Sequence, residues 1–198
     1  MTAQEKLDSK TVLDTNPATG TAVAELNETD LAKLPEIMSK AREAQAIWAA
    51  KSFKERARHI TMMRSYIVDR ADDLARTVSE SNGKTLTDAL ATEVLPCALA
   101  CKWYANNAEK TLKEKNRPGG SILFFNKKTH MLRVPLGVVG IISPWNYPLS
   151  IPFGEIVMGL MAGNAVLLKV AAATPAVGRA IEQIIAAGEL PEGLFHHI

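Results

Sequence analysis

Three observations in this sequence predict an α/β fold. From Leu34 to about Leu112, apolar residues recur at helical spacing. A β-branched apolar run, Val138–Ile142, follows Gly137 and ends abruptly in Ser143-Pro144-Trp145-Asn146. Beyond that run the pattern alternates strand, helix, strand, helix, strand, the order of a parallel sheet covered by crossover helices.

The helical part is read first. Residues 1–14 are polar and are expected to form a loose arm, followed by a helical region over 15–116. The first helix starts near Leu34 and places Ile37, Met38, Ala41, Ala44 and Trp48 on one face. Pro35 is tolerated there because the first helical turn leaves its N–H without a partner anyway. Ser52-Phe53-Lys54-Glu55 has the capping-box pattern and opens a second helix burying Phe53, Ala57, Ile60, Met63 and Ile67. A third helix runs through Leu74 and Val78 to a stop at Gly83. The fourth covers Leu86 to about Leu112, where Pro96 removes a backbone hydrogen bond and predicts a kink.

Arg117-Pro118-Gly119-Gly120 reads as a break. The segment 117–136 is then expected to be a β-hairpin, with arms Ser121–Phe125 and Thr129–Val134 around Asn126-Lys127-Lys128. Residues 137–198 form the first half of a Rossmann-like fold. Val138–Ile142 leads to a helix around Ser150–Met161, with Gly159 and Gly163 allowing that helix close to the sheet. Ala165–Val170 leads to a helix begun by Thr174 as N-cap with Pro175 at its first position, ending at Gly188. Leu194–Ile198 starts a third strand.

Composition excludes several function classes. The 198 residues are 47% hydrophobic and 22% charged with a net charge of +2, which gives no electrostatic footprint for nucleic acid. Lys110, Lys113, Lys115 and Arg117 alternate with Glu109 and Glu114 and read as a solvated helix face. The longest apolar stretch, Ile156–Leu168, is interrupted by Gly159, Gly163 and Asn164 and is shorter than the ~18–20 residues that span a bilayer, so no membrane partner is expected. Met1–Asp14 lacks the apolar core of a signal peptide, and two cysteines fit a reducing, cytoplasmic setting. Cys97 and Cys101 lie four apart on an apolar helical stripe and read as buried packing residues, not as a nucleophile or a metal pair. His196 and His197, adjacent in a strand, face opposite sides and cannot share a metal.

The run Pro135–Leu149 resembles the Pro-Trp-Asn signature of the aldehyde dehydrogenase superfamily. Further stretches share the resemblance: Asn16-Pro17-Ala18-Thr19-Gly20, Trp48, Asn82-Gly83-Lys84, Ala162–Lys169 and Leu190-Pro191-Glu192-Gly193. It implies an NAD- or NADP-dependent oxidoreductase that turns an aldehyde into a carboxylic acid through a cysteine thiohemiacetal, hydride transfer and thioester hydrolysis. In that family the nucleophilic cysteine, the glutamate base and a Gly-rich turn lie far downstream of the Pro-Trp-Asn loop. This chain is therefore expected to be an amino-terminal part, inactive alone, with the hairpin serving a homo-oligomer (dimer or tetramer). A non-catalytic scaffold that binds nucleotide or pairs with other subunits is the alternative, and a hydrolase using Ser143 a weaker one.

The resemblance also implies site residues. Asn146 would donate its side-chain amide to the oxyanion formed when a thiol attacks an aldehyde. Ile142, Ser143, Pro144 and Trp145 would line the pyrophosphate side of a dinucleotide cleft, and Lys169 would contact the adenosine ribose. Family members commonly carry Lys-Pro-Ser-Glu where this chain has Lys169-Val170-Ala171-Ala172. A carboxylate there would repel a 2′-phosphate, so Ala172 argues against strict NAD preference. No metal site is expected.

Overall fold

The computed structural model describes residues 11–118, 121, 123 and 126–198. Strand β1 (Thr11–Thr15) pairs antiparallel with β2 (Ala22–Asn27). Helices α1 (Leu34–Ala49), α2 (Phe53–Asp69) and α3 (Ala71–Asn82) follow, then α4 (Leu86–Ala89), a π-helical turn (Leu90–Val94) and α5 (Leu95–Leu112). A ribbon of β3 (Lys115–Pro118) and β4 (Lys128–Met131) precedes the parallel sheet. That sheet has the order β5 (Val138–Ile142), β6 (Ala165–Lys169), β7 (Phe195–His197), joined by α6 (Ser150–Met161) and α7 (Pro175–Ala187). The α/β class, the parallel sheet and a hairpin ahead of that sheet are as expected; the hairpin of β1 and β2 falls where an arm and a helical region were expected.

The middle strand explains the sheet's order. Ala165, Val166, Leu167 and Leu168 are all buried, the near-continuous apolar run of a strand covered on both faces. Helices α1, α6 and α7 pack on the sheet, while α2 and α5 pack on each other and over α6. Trp48 and Phe153 are fully buried in this core with Ile60, Met63, Leu160 and Ile181; Phe53 and Ala57 are only partly buried. The Trp48 indole donates to the Leu160 carbonyl at 2.8 Å, fixing α1 to the last turn of α6. A Cβ on Gly159 would sit 3.3 Å from Val166 Cγ2, so this glycine does bring α6 close to β6. Gly163 serves a different need, a turn at φ +90°.

Local signals at two helix ends hold. Ser52 and Glu55 form the reciprocal capping box at the start of α2. Gly83 closes α3 at φ +84°, and a Cβ there would also lie 2.8 Å from Pro17 Cγ.

Five expectations are corrected. Residues 11–14 are not part of a loose arm, because they pair with β2 and Asp14 is completely buried; residues 1–10 lie outside the described residues. The fourth helix is three pieces: Pro96 has no N–H to give, and the chain absorbs the defect by widening, with the Leu95 N–H bonding the Leu90 carbonyl. The strand that pairs with the hairpin's second arm is Lys115–Pro118; in a two-stranded ribbon both strands are edges, where a terminal proline is tolerated. Ile122, Phe124 and Phe125 lie outside the described residues. The basic cluster is not one helix face, since α5 stops at Leu112 and Lys115 and Arg117 belong to β3. Thr174 occupies the N-cap position of α7, but its side chain makes no capping bond. The Asp14 carboxylate, reaching in from β1, accepts the Ala176 N–H at 3.0 Å in its place.

Candidate active-site loop and nucleotide cleft

Strand β5 ends at Ile142, and the loop Ser143–Leu149 carries the chain to α6. The carboxyl ends of β5 and β6 lie side by side: Ile142 is in register with Lys169, and the Ser143 N–H donates to the Lys169 carbonyl at 3.0 Å. Ligands of open parallel sheets bind beyond this edge. Ile142 is 83% exposed and Trp145 62% exposed, both offering apolar surface at the sheet end. Lys169 is exposed at the end of β6, and Ala172 is exposed in the β6–α7 connection. Pro144 is half-buried.

Ser143 is buried, and its hydroxyl has no hydrogen-bond partner. The Thr174 hydroxyl, just before α7, is buried and unpartnered as well. A serine nucleophile needs access and a base, so the burial of Ser143 removes the hydrolase alternative.

Asn146 stands at the exposed tip of the loop, and its side-chain amide has no protein partner among the described residues. Its backbone is held firmly. The Lys84 ammonium donates to the Asn146 carbonyl at 2.7 Å, and the Asn82 side-chain amide donates to the Trp145 carbonyl at 2.7 Å. Lys84 also lies 3.8 Å from the centre of the Tyr147 ring and is paired with Glu93. Glu93 is fully buried on the π-helical turn, and its other oxygen accepts the N–H groups of Leu149 (3.1 Å) and Ser150 (2.8 Å). Helix α6 thus starts on a carboxylate, the sign its amino-terminal dipole favours.

Sequence reading placed Lys84 in a turn motif without a role and passed over Glu93. A signal for Glu93 existed: it lies four residues before Cys97 and eight before Cys101, on the stripe that is buried, and it is the sole charge between Asp88 and Lys102.

The two thiols are packing residues, as expected. Burial pushes the Cys101 thiol up to about 12, and burial, with Cys101 and Glu93 nearby, pushes Cys97 well above the usual thiol range. Neither supplies a thiolate at neutral pH. His197 Nδ1 lies 3.0 Å from Glu182 Oε1, and among the described residues no group of three ligating side chains surrounds a metal-sized site. No described helix is long and apolar enough to cross a membrane.

Residues 4–198 match the aldehyde dehydrogenase family. The chain is 29% identical over 184 residues to the 4,4'-diapolycopene aldehyde oxidase of a Methylomonas species, which covers 93% of this chain and 35% of that protein. Among solved structures, an E. coli NADP-dependent enzyme superposes with a TM-score of 0.87 at 26% identity, covering 96% of this chain and 38% of that one. Aldehyde dehydrogenase C of Pseudomonas syringae, complexed with NAD+ and octanal, superposes with a TM-score of 0.85 at 27% identity, covering 96% and 37%. The chain thus spans little more than a third of the length of these relatives.

Proposed function

The chain belongs to the aldehyde dehydrogenase family, and on that premise we propose that it supplies the oxyanion donor and part of the dinucleotide cleft of an enzyme oxidising an aldehyde to a carboxylic acid. The observation that carries this reading is Asn146. Its backbone carbonyl is fixed by Lys84, while its amide stands exposed and unspent. A donor preorganised in this way stabilises the negative charge that develops when a nucleophile attacks a carbonyl, an effect worth about 10²–10³ in rate.

The sheet end fits a dinucleotide. Ile142 and Trp145 offer apolar surface for a ring or ribose face, and Lys169 offers three N–H donors and a positive charge. Ile142, Trp145 and Lys169 would hold NAD or NADP, which would supply the hydride acceptor for the oxidation. Ala172, with no carboxylate to repel a 2′-phosphate, is compatible with either. The NADP-dependent E. coli enzyme and the NAD+-bound Pseudomonas enzyme among its structural neighbours support both cofactors.

The attacking thiol is neither Cys97 nor Cys101, both buried and held protonated, so the isolated 198 residues are read as inactive. The ribbon of β3 and β4 continues into exposed Leu132, Val134 and Leu136, apolar surface suited to a homo-oligomer contact. A reducing, cytoplasmic location fits the two free thiols.

The test is Asn146→Ala in the catalytically complete enzyme. The expected result is a kcat lowered by about 10²-fold with the dinucleotide KM changed by no more than about twofold, because the amide acts on charge formed in the transition state. A kcat within about threefold of the parent would remove Asn146 from the chemistry.

A further inference from the structure

We infer that Lys84, oriented by Glu93, is the positioning residue that sets the reach of Asn146, and that the segment 82–93 acts as a clamp on the catalytic loop. This rests on the oxyanion role proposed for Asn146. The contacts run along the loop almost residue by residue. Asn82 takes the Trp145 carbonyl, Lys84 takes the Asn146 carbonyl and lies over the Tyr147 ring, and Glu93 takes the N–H groups of Leu149 and Ser150. What the clamp leaves free is the pair of side chains at the tip, exposed Trp145 and Asn146.

Stability alone does not account for this arrangement. The Lys84 side chain is 18% exposed and that of Glu93 0%, so the pair has lost most of its water. Desolvation of two charges offsets most of their attraction, and such a pair is often replaceable by apolar residues without loss of stability. A buried pair does confer geometry. A carboxylate alone would cap α6, and the lysine adds a fixed donor at the one carbonyl that belongs to Asn146. A catalytic donor must be held within about 0.5 Å of its working position, and this is achieved by locking its support. The π-helical turn has a part in this. Glu93 lies on that turn, within hydrogen-bond reach of the Leu149 and Ser150 N–H groups at the start of α6, and single π turns of this kind recur at functional sites.

The test compares Lys84→Met/Glu93→Gln with the parent in the catalytically complete enzyme. Three readouts are taken: thermal unfolding, hydrogen exchange of the Trp145–Phe153 peptide by mass spectrometry, and kinetics. Both charges leave together, so no unpaired charge is buried, and the glutamine oxygen still accepts an N–H of α6. The expected outcome is an unfolding temperature within a few degrees of the parent and a dinucleotide KM within about twofold, with exchange in the loop faster by about tenfold and kcat lower by about tenfold. A variant that merely loosened the fold would speed exchange in β6 and α7 equally, and that result overturns the proposal. Unchanged loop exchange also overturns it. If the parent enzyme oxidises no aldehyde, the functional reading of Asn146 fails, while the exchange arm still decides whether Lys84 and Glu93 hold the loop. Should the double variant not fold, Lys84→Gln is measured in the same way and judged by the same two outcomes.

Discussion

Asp14→Ala should destabilise the protein by about 2 kcal/mol, although its position in a polar stretch near the amino terminus would suggest no effect. The Asp14 side chain is completely buried between three elements. Its Oδ2 accepts the Ala176 N–H at 3.0 Å and the Ser81 hydroxyl, so one oxygen ties β1 to the first turn of α7 and the last turn of α3. Losing the cap costs about 1 kcal/mol. Losing a hydroxyl bond to a carboxylate costs about 1.5–3 kcal/mol and leaves the Ser81 hydroxyl buried without an acceptor. Against these losses, alanine no longer has to desolvate a carboxylate whose second oxygen, Oδ1, has no partner. The balance is about 2 kcal/mol for Asp14→Ala and roughly half that for Asp14→Asn, which keeps one acceptor. Urea unfolding of the two variants and of Ser81→Ala, alone and combined with Asp14→Ala, supplies the numbers. The double-mutant cycle should return a coupling of about 1 kcal/mol. If Asp14→Ala changes stability by less than about 0.5 kcal/mol, the range of an ordinary surface substitution, the reasoning is refuted.

Three further outcomes follow from the same structure. Trp48→Phe should cost about 2–3 kcal/mol in urea unfolding, because it leaves the Leu160 carbonyl without its 2.8 Å partner and opens space in the core; a cost below about 1 kcal/mol would show that the indole N–H is dispensable. Ala172→Glu in the complete enzyme should weaken NADP use by about tenfold while leaving NAD use nearly unchanged, and equal losses for both would refute the charge argument. Stability should also fall as pH rises above about 9. Folding raises the Cys101 thiol to about 12 and Cys97 well above its ordinary value, so between those limits the unfolded chain has released protons that the folded chain retains. Each thiol then removes up to about 1.4 kcal/mol per pH unit, and Cys97→Ala/Cys101→Ala should flatten the profile of urea midpoints between pH 8 and 10.

Much of the fold was legible because its signals are local. The run Ala165–Leu168 is apolar at every position because both faces of β6 are covered, and sequence alone shows it. Ser52 and Glu55 declare the start of α2 within four residues, and Gly83 declares the end of α3 by taking a conformation that costs other residues more. What sequence reading missed depends on partners remote in the chain. Asp14 sits in Thr-Val-Leu-Asp-Thr, where nothing local separates a buried cap from an exposed turn; its partner is Ala176. Thr174-Pro175 has the composition of a local cap, and the distant carboxylate took the bond first. Pro96 was read correctly as a defect, but the π turn that precedes it leaves no local composition signal.

The candidate site divides along the same line. Asn146 and Trp145 are legible because a loop that presents an amide and an indole to solvent needs those residue types in the loop itself. The support beneath them is not, because Lys84 and Glu93 come from another segment and meet the loop only after α5 and α6 have packed. Yet Glu93 is not invisible in principle. A helical stripe that reads Ala89, Glu93, Cys97, Cys101 places one carboxylate where each neighbour is small or apolar and buried. A charge in that position either points the stripe to solvent or requires a cation and N–H groups brought to it by the fold. The burial of Cys97 was argued from the sequence, and the same argument extended by one turn excludes the solvent option. A buried acid on the stripe, a lysine at the preceding helix stop and the N–H and carbonyl groups of the Pro-Trp-Asn loop are then three parts of one constraint, each supplying the partner that another lacks.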